Sequence, residues 1–266
     1  MFGERLISGI VLVAVSIAVI WLGGLALLVT LMALALIGQF ELYRVLKIEK
    51  NTIGYMGYMA TLLYGILLYF NKGDWLQVFA IVCFLAFMTV YVFTYPQYEF
   101  KIIAMAFSGL IYVPVLLGCM YQVRCLDGGF YLVWLIYIAA WGSDTFAYCV
   151  GKLIGKHKLS SKLSPKKTIE GCTGGVVGAA LLGMLYAWIF RQPLAAHGYT
   201  VWHFALAGAL GSLSSQIGDL GASAIKRNYE IKDYGKLIPG HGGVMDRFDS
   251  ILFTAPLAYI LFLLVA

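Results

Sequence analysis

A chain of 266 residues with 61% hydrophobic and 12% charged residues, a mean hydropathy of +0.85 and a formal net charge of +6 lies outside the range of soluble globular domains. That composition excludes a water-soluble enzyme or binding module and predicts an all-α, polytopic integral membrane bundle. The alternation of apolar and polar residues that marks a transmembrane barrel is missing.

Roughly twenty helical residues cross a bilayer core, and apolar runs long enough to do so recur along the chain. Nine spans are predicted, over residues 6–22, 24–46, 53–70, 75–95, 102–123, 131–150, 174–190, 201–225 and 244–266. Only "GG" separates the first two, which predicts a tight helical hairpin. "MFGERL" puts one Arg ahead of an apolar run, as a signal peptide does, but no small-residue cleavage site follows, so an uncleaved first span is expected. Lys and Arg in short loops favour the cytoplasmic side. With the N-terminus in the cytoplasm, sixteen of the nineteen Lys and Arg fall on that side, leaving Lys72, Arg124 and Arg191 outside. The expected topology is therefore N-in and C-out, in the cell (inner) membrane. The positive face implies anionic lipid headgroups or a soluble polyanion as partner and disfavours nucleic acid, because the basic segments are short and flank spans. Cys83, Cys119, Cys125, Cys149 and Cys172 show no disulfide or zinc spacing and read as apolar packing residues.

The chain reads as one membrane domain whose two halves differ in chemistry. Residues 1–130 are scaffold helices with few ionisable groups. Glu41 and Arg44, three apart near a span end, are expected to pair at the interface. Residues 131–266 concentrate charge and glycine. Asp144 lies eight residues before Lys152 and Asp219 seven before Lys226, so each is expected roughly 10 to 12 Å below the cytoplasmic boundary. Asp246 and Asp249 enter from the same boundary on one helix face. Three helices thus bring acids to similar depth. Ionised carboxylates there are costly unless paired, hydrated or metal-bound, and oxygen-only ligands point to magnesium or manganese in preference to zinc. The alternatives are a hydrogen bond from Asp219 to Ser214, Ser215 or Ser223, and pairing of Asp144 with a loop lysine. Gly208, Gly211, Ser215, Gly218 and Ala222 recur at helical steps around Asp219 and are expected to let a second helix approach closely.

Two basic loops lie on the acids' side. "SPKKTIEG" places Ser164, Lys166, Lys167 and Thr168 ahead of a Gly-rich helix start, where open N–H groups and the helix dipole favour an anion. "GHGG", with His241, Gly242 and Gly243, opens the backbone at the start of the last span. Carboxylates for a metal beside cations and open N–H groups describe a polyphosphate site. It is not a P-loop, since G-x-x-x-x-G-K-[ST] does not occur.

The 27 residues "SAIKRNYEIKDYGKLIPGHGGVMDRFD", 223–249, resemble the signature of the phosphatidate cytidylyltransferases, or CDP-diacylglycerol synthases, in every fixed position. The upstream "DTFAYCVGKLIGKHKLSSKLSPKKTIEG" is similar to the same family. The resemblance implies an Mg²⁺-dependent nucleotidyltransferase that joins CTP and phosphatidic acid, giving CDP-diacylglycerol and pyrophosphate for phospholipid biosynthesis. In that reading Asp219 and Asp246 bind the metal, supported by Asp249 and Asp144, with Arg247 beside them in catalysis. Lys166, Lys167, Lys226, Arg227, Lys232 and Arg247 neutralise phosphates. Ser164, Thr168, Ser223, Lys236, Gly242 and Gly243 complete the substrate site, and His241 contacts a phosphate or orients an acid. A homodimer is the expected assembly. The competing readings are a CTP-dependent polyprenol kinase, which would release CDP, and a membrane transporter. Transporter sites lie near the midplane between repeats, whereas these acids cluster near one face.

Overall fold

The structure is a computed structural model. It describes all residues except 1, 71–74, 161–162, 239, 241 and 266, with side chains from residue 8 onward. The fold is helical. Among the described residues, seven helices are long and apolar enough to cross a membrane. These are α2 (Gly24–Val45), α3 (Thr52–Tyr69), α4 (Leu76–Thr94), α5 (Phe100–Cys125), α6 (Gly129–Ile154), α7 (Ile169–Ile189) and α9 (Met245–Val265). The two other predicted spans are helical as well. α1 (Phe2–Leu22) is apolar over Ser8–Leu22, the part whose side chains are described, and the 28-residue α8 (Val201–Asn228) is diluted by Ser, Gln, Gly and Asp. A two-stranded antiparallel hairpin, β1 (Lys158–Ser160) and β2 (Ser164–Thr168), joins α6 to α7.

The chain forms two compact units. The first comprises Met1–Tyr121 and Asp233–Arg247, the second Gln122–Lys232 and Phe248–Ala266.

In the first unit, α1 and α2 are joined through Gly23 (φ 61°) and Gly24 (φ 47°), left-handed positions that glycine adopts without a Cβ clash. The break expected at "GG" is thus seen. α2 buries Leu28, Leu31, Met32, Ala35, Gln39 and Leu42 at three- and four-residue steps. Because lipid tails are as apolar as Leu, close packing and buried hydrogen bonds hold such helices together. The Tyr43 ring lies where a Cβ on Gly57 of α3 or Gly109 of α5 would have to go. Its hydroxyl donates to the Ala106 carbonyl at 2.7 Å and accepts from Gln39 Nε2 at 3.0 Å, while Thr61 Oγ1 donates to Gln39 Oε1 at 2.6 Å. This buried network ties α2, α3 and α5 with its polar atoms partnered. Pro114, which lacks an N–H, sits inside a π-helical turn, Ile111–Val115, that relieves the break in α5.

In the second unit, glycines of α7 set how closely α6 approaches. A Cβ on Gly174 would strike Val150, and one on Gly178 would strike the Phe146 ring. The small residues of α8 behave as expected: Gly208 faces the Ala179 carbonyl, Gly211 the Ala139 methyl, and Gly218 the Asp249 carbonyl. A second π-helical turn, Ile138–Gly142, precedes Ser143 and Asp144 in α6. Such turns recur at functional sites because they re-aim the side chains that follow.

Candidate active site

In the second unit, α6, β2, α7 and α8 enclose a cavity of about 320 Å³. Asp144, Tyr148, Gly151 and Lys152 line it from α6, Lys166, Lys167 and Thr168 from β2, Gly171 and Cys172 from α7, and Gln216 from α8. Its local architecture follows from two side chains near the start of α7. Thr168 is the N-cap, its hydroxyl accepting the Gly171 N–H at 3.1 Å. Glu170, in the first turn, accepts the backbone N–H groups of Lys156 at 3.1 Å and His157 at 3.2 Å and meets His157 Nδ1 at 2.6 Å. Both ends of the hairpin are thereby fixed to one helix end, and the hairpin carries Lys166 and Lys167 to the cavity. The Thr168 hydroxyl, expected to meet substrate, is engaged in this cap. Ser164, at the start of β2, pairs with Ser160 across the hairpin.

Lys167 forms an ion pair with Asp219 of α8, both side chains being partly buried. That, and not a serine hydrogen bond, is the contact Asp219 makes here; Ser214 instead donates to the Phe253 carbonyl at 2.9 Å. Asp249 is buried, with Oδ1 accepting the Ser250 N–H at 2.8 Å. It lies within electrostatic reach of Asp219, Asp144 and Lys226. The second unit therefore gathers three of the four predicted acids, from α6, α8 and α9, with Lys226 and Arg227 in the last turn of α8. Among the described residues, no group of three or more His, Cys, Asp or Glu side chains is placed to hold a metal ion. Ser223 lies half-buried on α8, and Lys232 is exposed at the end of this unit.

Gln216, missing from the residues expected to act, closes the cavity. Its amide nitrogen reaches the Cys172 carbonyl at 3.1 Å and Ser212 Oγ at 3.2 Å, and Ser212 Oγ donates to Ser143 Oγ at 2.7 Å. Tyr148 and Lys152, also overlooked in sequence, stack with the ammonium 5.9 Å from the ring centre.

The first unit holds the remainder of the signature as a loop leading into α9. Ile238 and Gly242 exchange backbone hydrogen bonds at 2.9 and 3.1 Å, and Gly240 (φ 73°) and Gly242 (φ 93°) take left-handed conformations inside that turn. Asp246 is buried, and its Oδ2 accepts the N–H groups of Gly243 at 3.0 Å and Tyr234 at 2.8 Å. Lys236 and Arg247 are exposed, and His241 lies outside the described residues. The largest departure from expectation is Glu41. It is buried at 4% exposure, and its two oxygens accept the N–H groups of Val244 at 3.1 Å and Met245 at 2.9 Å. Arg44 donates to the Tyr234 carbonyl. The expected interface pair is thus a clamp on the signature loop.

The chain matches the cytidylyltransferase family over residues 3–265. It is 31% identical over 266 residues to a phosphatidate cytidylyltransferase of Bacillus subtilis, covering 97% of this chain and 96% of the relative. It is 33% identical over 263 residues to one of Staphylococcus epidermidis and over 265 residues to one of Staphylococcus aureus, with 97% of both chains covered in each case.

Proposed function

We propose, from the premise that this chain belongs to the cytidylyltransferase family, that it transfers CMP from CTP to phosphatidic acid, giving CDP-diacylglycerol and pyrophosphate. The observation that carries the reading is the second unit's cavity, where Lys152, Lys166 and Lys167 stand among carboxylates. Such a site suits a polyphosphate far better than a neutral substrate. A phosphate oxygen of the lipid attacks the α-phosphorus of CTP, a new P–O bond forms, the bond to the β-phosphate breaks, and pyrophosphate departs. The attacking group is already anionic at neutral pH, so no side chain need remove a proton. Catalysis is positioning and charge neutralisation. Lys166 and Lys167 would hold phosphates at the cavity, and Lys226, Arg227 and Lys232 would meet the lipid phosphate or the leaving group. From the signature, Lys236, Arg247 and His241 are proposed to join them.

The side chains fit a magnesium ion in donor type: the acids offer only oxygen, and Asp219 already draws a cation, the Lys167 ammonium. Mg²⁺ is usually held by one or two carboxylates with substrate phosphates completing its shell. Within the second unit Asp219 and Asp249 are the proposed ligands and Asp144 their support; Asp246, expected from the signature to bind the metal, has its Oδ2 on the N–H groups of Tyr234 and Gly243. Bound there, the ion would neutralise charge developing on the phosphates. The skewed Lys and Arg distribution supports a cytoplasmic site in the cell membrane, and a homodimer is the proposed assembly.

Purified protein incubated with CTP, phosphatidic acid and Mg²⁺ should release pyrophosphate and form a CDP-lipid. Release of CDP with a phosphorylated lipid would instead identify a kinase.

A further inference from the structure

We infer that Glu41 is a positioning residue for the transfer reaction, acting through the main chain of the signature loop. The inference rests on the proposed reaction. The first N–H groups of a helix have no partner within the helix, and a side chain just ahead of the helix in sequence commonly satisfies them. Here a carboxylate about two hundred positions earlier in the chain satisfies the N–H groups of Val244 and Met245, one oxygen for each. The loop is shaped around that carboxylate. A Cβ on Gly235 or Gly243 would collide with it, so only glycine permits the main chain to close on both sides. One turn along α2, Arg44 holds the Tyr234 carbonyl while Asp246 holds the Tyr234 N–H, so the peptide groups on both sides of Tyr234 are held.

Burying an ionised carboxylate is costly unless hydrogen bonds offset the lost hydration. A Leu or Met at this point of an apolar helix would fill the space without that cost. What it could not do is set the position of Gly243, Val244 and Met245, and with them the direction in which Asp246 and Arg247 leave the loop. A displacement of about 1 Å in a reacting group can cost on the order of 100-fold in rate. A clamp of this kind therefore belongs to the reaction although it touches no substrate.

The test is Glu41→Gln in the full-length protein, assayed beside wild type for CDP-lipid formation with CTP and phosphatidic acid in mixed micelles. Gln keeps one acceptor but turns an NH₂ toward the second backbone N–H. The expected result is a kcat lower by about 10- to 100-fold, KM values for both substrates within about threefold, and faster amide exchange at Val244 and Met245. A folded variant with kcat within about twofold of wild type overturns the inference. So does a loss fully explained by a smaller folded fraction. If the variant does not fold, Arg44→Gln, at an exposed position, decides by the same criteria. A wild type that makes no CDP-lipid defeats the proposed reaction and this inference with it. An active wild type beside an equally active variant defeats this inference alone.

Discussion

The Lys167 ammonium pairs with the Asp219 carboxylate, joining the basic hairpin to α8. This contact gives the hairpin lysine a defined place at the cavity and gives Asp219, which also feels the Asp249 charge, a counter-charge. Asp219→Asn should leave the protein folded, because a neutral amide fits the same space, yet lower kcat at least about 100-fold. Thermal unfolding in detergent and CDP-lipid formation measure the two outcomes. Full activity would remove Asp219 from the proposed metal site.

Asp246 should show a graded response. Asn retains an oxygen that can accept from Tyr234 and Gly243, whereas Ala leaves two buried N–H groups without it. Each such group costs about 1–3 kcal/mol. Asp246→Ala should therefore unfold at a clearly lower temperature than Asp246→Asn, with both variants losing turnover. Equal melting temperatures would show that the loop does not depend on this oxygen.

Packing of α6 on α7 can be tested at one glycine with another as control. Gly178→Ala drives a methyl into the Phe146 ring and should cost about 1–3 kcal/mol, read from denaturation midpoints. On α8, a Cβ at Gly221 would meet nothing within 4 Å. Gly221→Ala should be neutral or stabilising by about 0.5–1 kcal/mol. The reverse order would contradict the packing described.

Divalent ions should be required. Stripping with a chelator should abolish CDP-lipid formation, and Mg²⁺ or Mn²⁺ should restore it better than Zn²⁺, since the proposed ligands are all oxygen. Activity that persists in chelator would leave the lysines and arginines as the only charge carriers.

Much of this was legible in the sequence. Helices and the break at "GG" followed from hydropathy and glycine, and the small residues of α8 pack as their spacing implies. The similar depth of Asp144 and Asp219 was read by counting residues from the basic loops, and both act electrostatically on Asp249, although the three do not form a metal-holding group. Glu41 was misread because its partners are backbone N–H groups 203 and 204 positions away. Main-chain donors are present at nearly every residue and so leave no compositional trace. Arg44, three positions on, offered a ready partner, and its charge does act on Glu41, but the hydrogen bonds of Glu41 go to the loop. Gln216 was overlooked for a related reason: a single amide in an α-helix looks like any polar interruption until its neighbours Ser143, Ser212 and Cys172 are in place. Thr168 was assigned to substrate by its position before a helix, the same position that makes it a cap.

Gly218 presses α8 onto the main chain of α9, where a Cβ would stand 2.6 Å from the Asp249 carbonyl oxygen. Beside that carbonyl only the Phe253 side chain comes as near, at 3.0 Å, so the spacing between the main chains that carry Asp219 and Asp249 is set chiefly by backbone meeting backbone. Rotamer changes cannot adjust it, and neither can a thicker or thinner bilayer that merely tilts the helices together. The acids keep their separation as the surrounding lipid, which is also the substrate's own medium, changes in chain length and fluidity.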